Sequence, residues 1–192
     1  MFASKGETVL MLSILLIGVS LSMDALAISI ANGLSLKPFR LRYALWMGFY
    51  FGLFQFLMPL LGCLLGNTVS GYIDAFGPYI SFFLRAFIGG KMLFDGLRGG
   101  EEDGMAELSH PKLLVMAVAT SIDALAVGVT FAFMDDLALL PSCALIGCTT
   151  FAISFAGALL GSRIPGVSGK KAGVLGGAVL IAIGVKLLLE GV

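Results

Sequence analysis

Ser22-Met23-Asp24-Ala25-Leu26-Ala27 and Ser121-Ile122-Asp123-Ala124-Leu125-Ala126 are one motif written twice, 99 residues apart. Each copy sets a carboxylate inside a long apolar run. A charge near the centre of a membrane helix costs at least ~2.5 kcal/mol on insertion scales. Two such charges in matched positions point to a function and not to scaffold.

The surrounding composition supports the membrane setting. Of 192 residues, 58% are hydrophobic and only 12% are charged, about half the ~25% usual for soluble domains. Twenty-six glycines suit membrane helices, where a missing side chain lets backbones approach. The chain is therefore expected to be an all-α integral membrane protein. Its net charge is zero, which removes the electrostatic case for nucleic acid. One histidine, His110, and three scattered cysteines, Cys63, Cys143 and Cys148, do not make a zinc-type ligand set. The cysteines read as small apolar fillers. Ala25-Leu26-Ala27 resembles a signal-peptidase site, but the same triplet recurs mid-chain and the apolar run is too long; residues 1–34 read as a retained helix.

Runs of about 20 apolar residues predict six spans: 9–31, 43–66, 78–97, 113–134, 137–161 and 172–190. Pro59 is expected to kink the second and free a carbonyl near residue 55. Asp24 falls slightly to one side of centre in the first span, and Asp123 close to the centre of the fourth. Six spans put both termini on one side of the membrane. The opposite side collects Lys37, Arg40, Arg42, Arg98, Lys112, Arg163, Lys170 and Lys171, so the positive-inside rule makes it cytoplasmic. Both termini are expected outside the cytoplasm.

The duplication reaches beyond the motif. At the same offset Gly48 matches Gly147, Phe56 matches Phe155, and Leu60-Leu61-Gly62 matches Leu159-Leu160-Gly161. At an offset of 95, Ile88-Gly89-Gly90-Lys91 matches Ile183-Gly184-Val185-Lys186. Two repeats are expected, 1–98 and 99–192. Three helices per repeat force the second copy to enter from the other side, giving two inverted three-helix repeats within one membrane domain. In that architecture a substrate site lies at the repeat interface near the midplane.

Asp24 and Asp123 would face each other there. Two facing carboxylates resist being ionised together unless a cation joins them. Oxygen ligands suit hard divalent ions such as Mg²⁺ and Mn²⁺. Gln55, polar and mid-membrane, could add an amide oxygen or bond a neighbouring helix; its repeat counterpart is Ser154, with Thr150 one turn before. Met23 could be a soft ligand or, more simply, a membrane-facing filler. Lys91/Asp95 and Lys186/Glu190 read as local ion pairs, or as internal counter-charges for an empty site. Arg85, deep in the third span, needs an acid, and Asp24 is one candidate. Glu101-Glu102-Asp103 reads as a solvated loop. No nucleotide-binding loop or nucleophile constellation is present, so the chain does not read as an enzyme or a primary pump.

These residues resemble the MntP-type manganese exporters of bacteria. The resemblance covers essentially the whole chain. It rests on Ser22-Met23-Asp24-Ala25, on 119–128 around Asp123, on Phe51-Gly52-Leu53-Phe54-Gln55 with Met58-Pro59, on Gly89-Gly90-Lys91-Met92, and on Gly169-Lys170-Lys171 before Gly176-Gly177. It implies a two-repeat, six-helix fold in the bacterial inner membrane. It also implies efflux of Mn²⁺ as transported substrate, with no resident cofactor, and Asp24 and Asp123 as the motif carboxylates. Some relatives carry Glu where this chain has Gln55. Protons are a candidate counter-ion. The competing readings are a carrier for another divalent metal or a small cationic solute, and a structural membrane protein with an internally ion-paired Asp couple.

Overall fold

The computed structural model describes residues 5–36, 38–98, 109–134, 137–164 and 169–190. Side chains at 5–8, 67–78 and 169–173, and among others at Arg85, Lys91, Asp95 and Glu190, lie outside the described residues, as do Glu101, Glu102 and Asp103. The counter-charge roles expected of Arg85 and Lys91 therefore fall outside them as well; Lys186 is described and is exposed.

Every described element is a helix. They are α1 (Lys5–Ser35), α2 (Leu41–Arg98), α3 (His110–Thr120), α4 (Ile122–Phe131), α5 (Leu139–Arg163) and α6 (Gly169–Glu190). Val9–Ser35, Leu41–Gly66 and Leu139–Arg163 are each long and apolar enough to cross a bilayer. The pair α3 and α4, bent by 45° between them, makes a fourth if counted as one broken span.

The solvent for this fold is hydrocarbon. Leu12, Leu16, Leu64, Phe83, Phe87 and Leu189 are exposed, each by more than half. Meanwhile Ser22, Asp24, Ser29, Asn32, Gln55, Thr120, Ser121, Thr150 and Ser154 are buried. In water that distribution would be upside down; in a bilayer, polar groups must turn inward to find partners. Trp46 and Tyr50 near the start of α2 meet His110 at the start of α3. The Trp46 and His110 rings stand edge to face at 4.6 Å, and Tyr50 OH lies 3.1 Å from His110 Nδ1. Amphipathic rings of this kind belong at a membrane–water interface.

Three seams fix the helix directions, and small residues make them close. Along α1 and α5, Ile146 approaches Gly18, and further on Gly157 meets Leu26 and Ser29, and Gly161 meets Ile30. Residue numbers rise together, so α1 and α5 run parallel. Along α2 and α4, Gly62 lies on the Leu125 carbonyl, Gly128 on the backbone of Pro59, and Gly66 on Ala132; these helices also run parallel. Between α2 and α5 the order reverses. A methyl on Gly52 would stand 2.8 Å from the Gly147 oxygen, and one on Gly48 would stand 3.1 Å from the Phe151 oxygen. Gly177 of α6 packs on Gly89 and Leu93 of α2. The pairs Gly48/Gly52, Gly62/Gly66 and Gly157/Gly161, each four residues apart, thus sit in packing seams.

Two local expectations change. The sequence suggests separate helices over 43–66 and 78–97, with a kink at Pro59. In the structure two helices meet at Gly66, where the first was expected to end and where the backbone leaves helical φ/ψ (φ 18°, ψ −107°); what differs is that the kink falls there and not at Pro59, and that 67–77 is helical. Gly66 has no Cβ, and one placed there would come within 2.9 Å of the Ala132 Cβ. The turn is therefore made one helical turn beyond the close Gly62–Leu125 approach, beside Ala132 just past the end of α4. The fourth span is not one helix over 113–134 either; it breaks at Ser121, with φ −109° and ψ 4°.

Candidate functional site

Two hydroxyls bond back to the preceding turn at the Ser121 break. Thr120 Oγ1 lies 3.0 Å from the Met116 oxygen and 3.1 Å from that of Ala117. Ser121 Oγ donates to the same Ala117 oxygen at 2.7 Å. Hydroxyls that bond back to the preceding turn compete with the helical ladder and bend it. Ser121 N accordingly donates to Val118 O, a tighter step of three residues, at 3.2 Å.

The break moves Asp123 from the expected middle of a span to the first turn of α4. There its Oδ1 accepts from Ala124 N at 2.9 Å. A helix N-terminus presents unsatisfied N–H groups and the positive end of the macrodipole. A carboxylate at that point is stabilised by typically ~0.3–1 kcal/mol. Half-helices ending at mid-membrane are a recurrent way of building ion sites in transporters.

Asp24 has the same motif in a different setting. It is 5% exposed and lies inside the unbroken α1. Its neighbour Met23 is 45% exposed, which assigns Met23 to the hydrocarbon and not to a ligand set. Ser20, one turn before Asp24, is exposed, as is Thr130 beyond Asp123. Ser22 Oγ lies 2.7 Å from Thr150 Oγ1, joining α1 to α5 just before Asp24.

Gln55 links the two settings. Its side chain is 0% exposed. Nε2 donates to Leu21 O at 3.2 Å and to Thr120 O at 3.3 Å. Leu21 and Thr120 are themselves 99 residues apart, each three residues before its aspartate. One amide from α2 therefore bonds equivalent carbonyls in both copies of the motif. Both neighbours at that end are carbonyl oxygens, which only accept, so the nitrogen must face them and Oε1 must face away. Oε1 is buried and accepts no hydrogen bond, and the same holds for Ser154 Oγ, at the repeat-equivalent position. Ser29 Oγ, in the seam at Gly157, is a third such atom; leaving a buried polar atom without a partner costs ~1–3 kcal/mol, and of the three only Gln55 Oε1 belongs to a group that also bonds the carbonyls ahead of both motifs.

Among the described residues no three His, Cys, Asp or Glu side chains cluster as a metal site. Oxygens for a cation would come from two carboxylates plus amide, hydroxyl or carbonyl groups. The sequence singled out Asp24, Asp123 and Gln55 but gave no sign of the Leu21 and Thr120 carbonyls, since backbone groups carry no residue signature. The tandem Thr120-Ser121 was the available hint of a break, against Leu21-Ser22 in the first copy.

Fold and site together define a polytopic α-helical membrane protein with one buried carboxylate, Asp24, a part-buried one, Asp123, and a buried amide, Gln55, the class to which ion carriers belong. Residues 38–188 match the family described as "Putative manganese efflux pump". The chain is 46% identical to "Putative manganese efflux pump MntP" of Methanosarcina mazei over 91% of its length and 94% of that protein's. It is 45% identical to the protein of the same name in Methanocorpusculum labreanum, over 95% and 98% of the two chains. It is 39% identical to that of Clostridium perfringens, over 93% and 94%. The chain belongs to the MntP family, whose description is that of a transporter and not an enzyme, with manganese as cargo and not cofactor. No solved structure matches it.

Proposed function

We propose that this protein exports Mn²⁺ from the cytoplasm through one intramembrane site. Asp24 and Asp123 supply its carboxylates, and Gln55 Oε1 an additional oxygen. The observation that carries the reading is the Gln55 amide, which bonds both motif copies at equivalent carbonyls and leaves its buried oxygen unpartnered. Family membership and the names of the relatives supply the ion and the direction. The ligand chemistry agrees, because carboxylate and amide oxygens suit hard divalent cations.

In this reading the chain is two inverted three-helix repeats, 1–98 and 99–192, making six spans. The seams support it. Adding or subtracting 99 turns the Gly52–Gly147 approach into Phe151–Gly48, which is also found. The α1/α5 seam at Gly161 and Ile30 likewise answers to the α2/α4 seam at Gly62 and Val129. Transport proceeds by rocking of one repeat against the other around the fixed site. The eight basic residues at 37–42, 98–112 and 163–171 place that side in the cytoplasm and the termini outside, in the bacterial inner membrane. Protons are the proposed counter-ion, because releasing Mn²⁺ leaves two carboxylates that favour sharing a proton.

The test is Mn²⁺ tolerance and cellular manganese content in an exporter-deficient host carrying wild type, Asp24→Asn or Asp123→Asn. Wild type should lower cellular manganese, and each variant should fail to do so at equal membrane abundance. A wild-type protein that leaves manganese unchanged refutes the export reading. Loss of abundance in both variants would favour a structural role for the acids. In proteoliposomes, Mn²⁺ movement that is indifferent to an imposed pH gradient would remove the proton.

A further inference from the structure

We propose that the groove between the start of α2 and the middle of α5 binds one anionic phospholipid of the surrounding bilayer, with its phosphate on Arg42 and an acyl chain along the apolar wall. The groove has a volume of about 400 Å³ and is lined by Arg42, Leu45, Trp46, Phe49 and Phe151. The four α2 residues stand at i, i+3, i+4 and i+7, so they form one stripe along a single helix face. From Arg42 to Phe49 that stripe runs about 10 Å, at ~1.5 Å per residue. Phe151 closes the groove from α5. Its backbone and ring pack on Gly48 and Gly52, and the ring lies parallel to that of Phe155 at 6.2 Å. All five lining residues are exposed, and the apolar four face hydrocarbon.

The charge at the mouth selects the occupant. Arg42 lies in the first turn of α2, where the helix dipole also favours an anion. Its guanidinium carbon stands 5.2 Å from the centre of the Tyr43 ring, and Nη2 lies 3.4 Å from the Tyr43 oxygen. Tyr43 thus holds the cation at the groove end and takes one of its five N–H donors; the fork suits phosphate oxygens. Among the described side chains the only acids are Asp24 and Asp123, and neither lines the groove. Trp46, against His110, sets this level at the membrane–water interface. A soluble anion would use Arg42 alone and leave Leu45, Trp46 and Phe49 without a partner. A phospholipid uses both ends, and basic pockets between membrane helices take anionic headgroups in this way.

The proposal takes only the membrane setting from the reading above and stands whether or not Mn²⁺ moves. Trp46 is the single tryptophan of the chain, so its fluorescence reports this groove alone. The experiment places the full chain in bilayers that contain rising fractions of phosphatidylglycerol or phosphatidylcholine with dibrominated acyl chains. Bromine quenches tryptophan only at close range, so the quenching curves give the relative affinity of the two lipids at Trp46. The expected result is a preference of about fivefold for phosphatidylglycerol, the worth of one basic residue beside an anionic lipid. Arg42→Gln should abolish it. Arg163→Gln removes a charge at the end of α5, on the same side of the membrane but outside the groove, and should keep it.

Equal quenching by the two lipids in wild type overturns the proposal. A preference that survives Arg42→Gln, or that Arg163→Gln lowers as much, also overturns it, because the cause would then be general surface charge. Millimolar inorganic phosphate should leave the quenching by phosphatidylglycerol unchanged; its displacement would make the occupant a soluble anion and overturn the lipid. Should Arg42→Gln misfold, native mass spectrometry of wild type released from mixed-lipid micelles decides the matter. One phosphatidylglycerol retained per chain is expected; none, or equal retention of phosphatidylcholine, overturns the proposal.

Discussion

The two copies of the Ser-X-Asp-Ala-Leu-Ala motif fold differently. The first runs straight through α1, with Asp24 buried in an intact helix. The second breaks at its serine, and Asp123 opens a new helix with its carboxylate on the Ala124 N–H. The sequence difference that accompanies this is small. Leu21 precedes the first serine and Thr120 the second, and the additional hydroxyl reaches back to Met116 and Ala117. A duplicated motif thus supplies one carboxylate on a rigid rod and one on a half-helix beside a joint. If both serve one ion, the rod gives a fixed reference and the joint gives the freedom to move.

The neighbouring seams differ in the same spirit. In the first seam the small residue is Gly157 on α5, and α1 can carry Ser29. In the second seam the equivalent of Ser29 is Gly128, pressed on the backbone of Pro59. Writing the first copy into the second at this point, Gly128→Ser, should have the largest effect on the fold. Its Cβ has no space, and overpacking of this kind costs typically ~1–3 kcal/mol where the neighbour can yield; Pro59 backbone cannot easily do so. We expect little or no folded protein by size-exclusion chromatography. Gly90→Ala, where a Cβ would meet nothing within 4 Å, should express normally.

Next in size is the N-terminal role of Asp123. Asp123→Ala removes both the carboxylate and the bond to Ala124, whereas Asp24→Ala removes a charge from a continuous helix. Thermal denaturation should show the Asp123 variant losing ~0.3–1 kcal/mol for the lost interaction of a first-turn carboxylate with the helix start, and faster amide exchange at 122–125 that has no counterpart at 23–26. Equal exchange in the two segments would mean that the break does not expose the second copy.

Thr120→Val tests the cause of the break. It deletes the hydroxyl while keeping shape and β-branching. The 45° bend between α3 and α4 should relax, giving slower exchange at Ser121 and a net change of about 1 kcal/mol or less in stability. Unchanged exchange would assign the bend to packing against α2 and not to the hydroxyls. The smallest effect is expected from Ser22→Ala, which removes the bond to Thr150 while Thr150 keeps its bond to Ile146 O; ~0.5 kcal/mol of stability should be lost with Mn²⁺ binding retained.

Much of this was legible in the sequence. The duplicated motif, the inward placing of Asp24 and Gln55 and the membrane class follow from offsets and hydropathy. So do the glycine seams, because only glycine lets helices meet backbone to backbone. The break at Ser121 was not legible, since hydropathy runs unbroken from Leu113 to Phe131 and the breaking agents are hydroxyls that elsewhere sit quietly in helices. Ser22 bonds back to Gly18 without interrupting α1. The helix over 67–77 was missed because its glycines and polar residues read as a loop, where tertiary packing overrides a weak propensity. The double donation by Gln55 needed three helices in place before it could be seen.

The central claim is that the two unlike copies build a single site. Mn²⁺ binding stoichiometry by EPR on purified protein tests it directly, in wild type, Asp24→Asn and Asp123→Asn. The account predicts one tightly held Mn²⁺ per chain in wild type, and its loss in either single variant. Two Mn²⁺ per chain, each removed only by its own substitution, would contradict it.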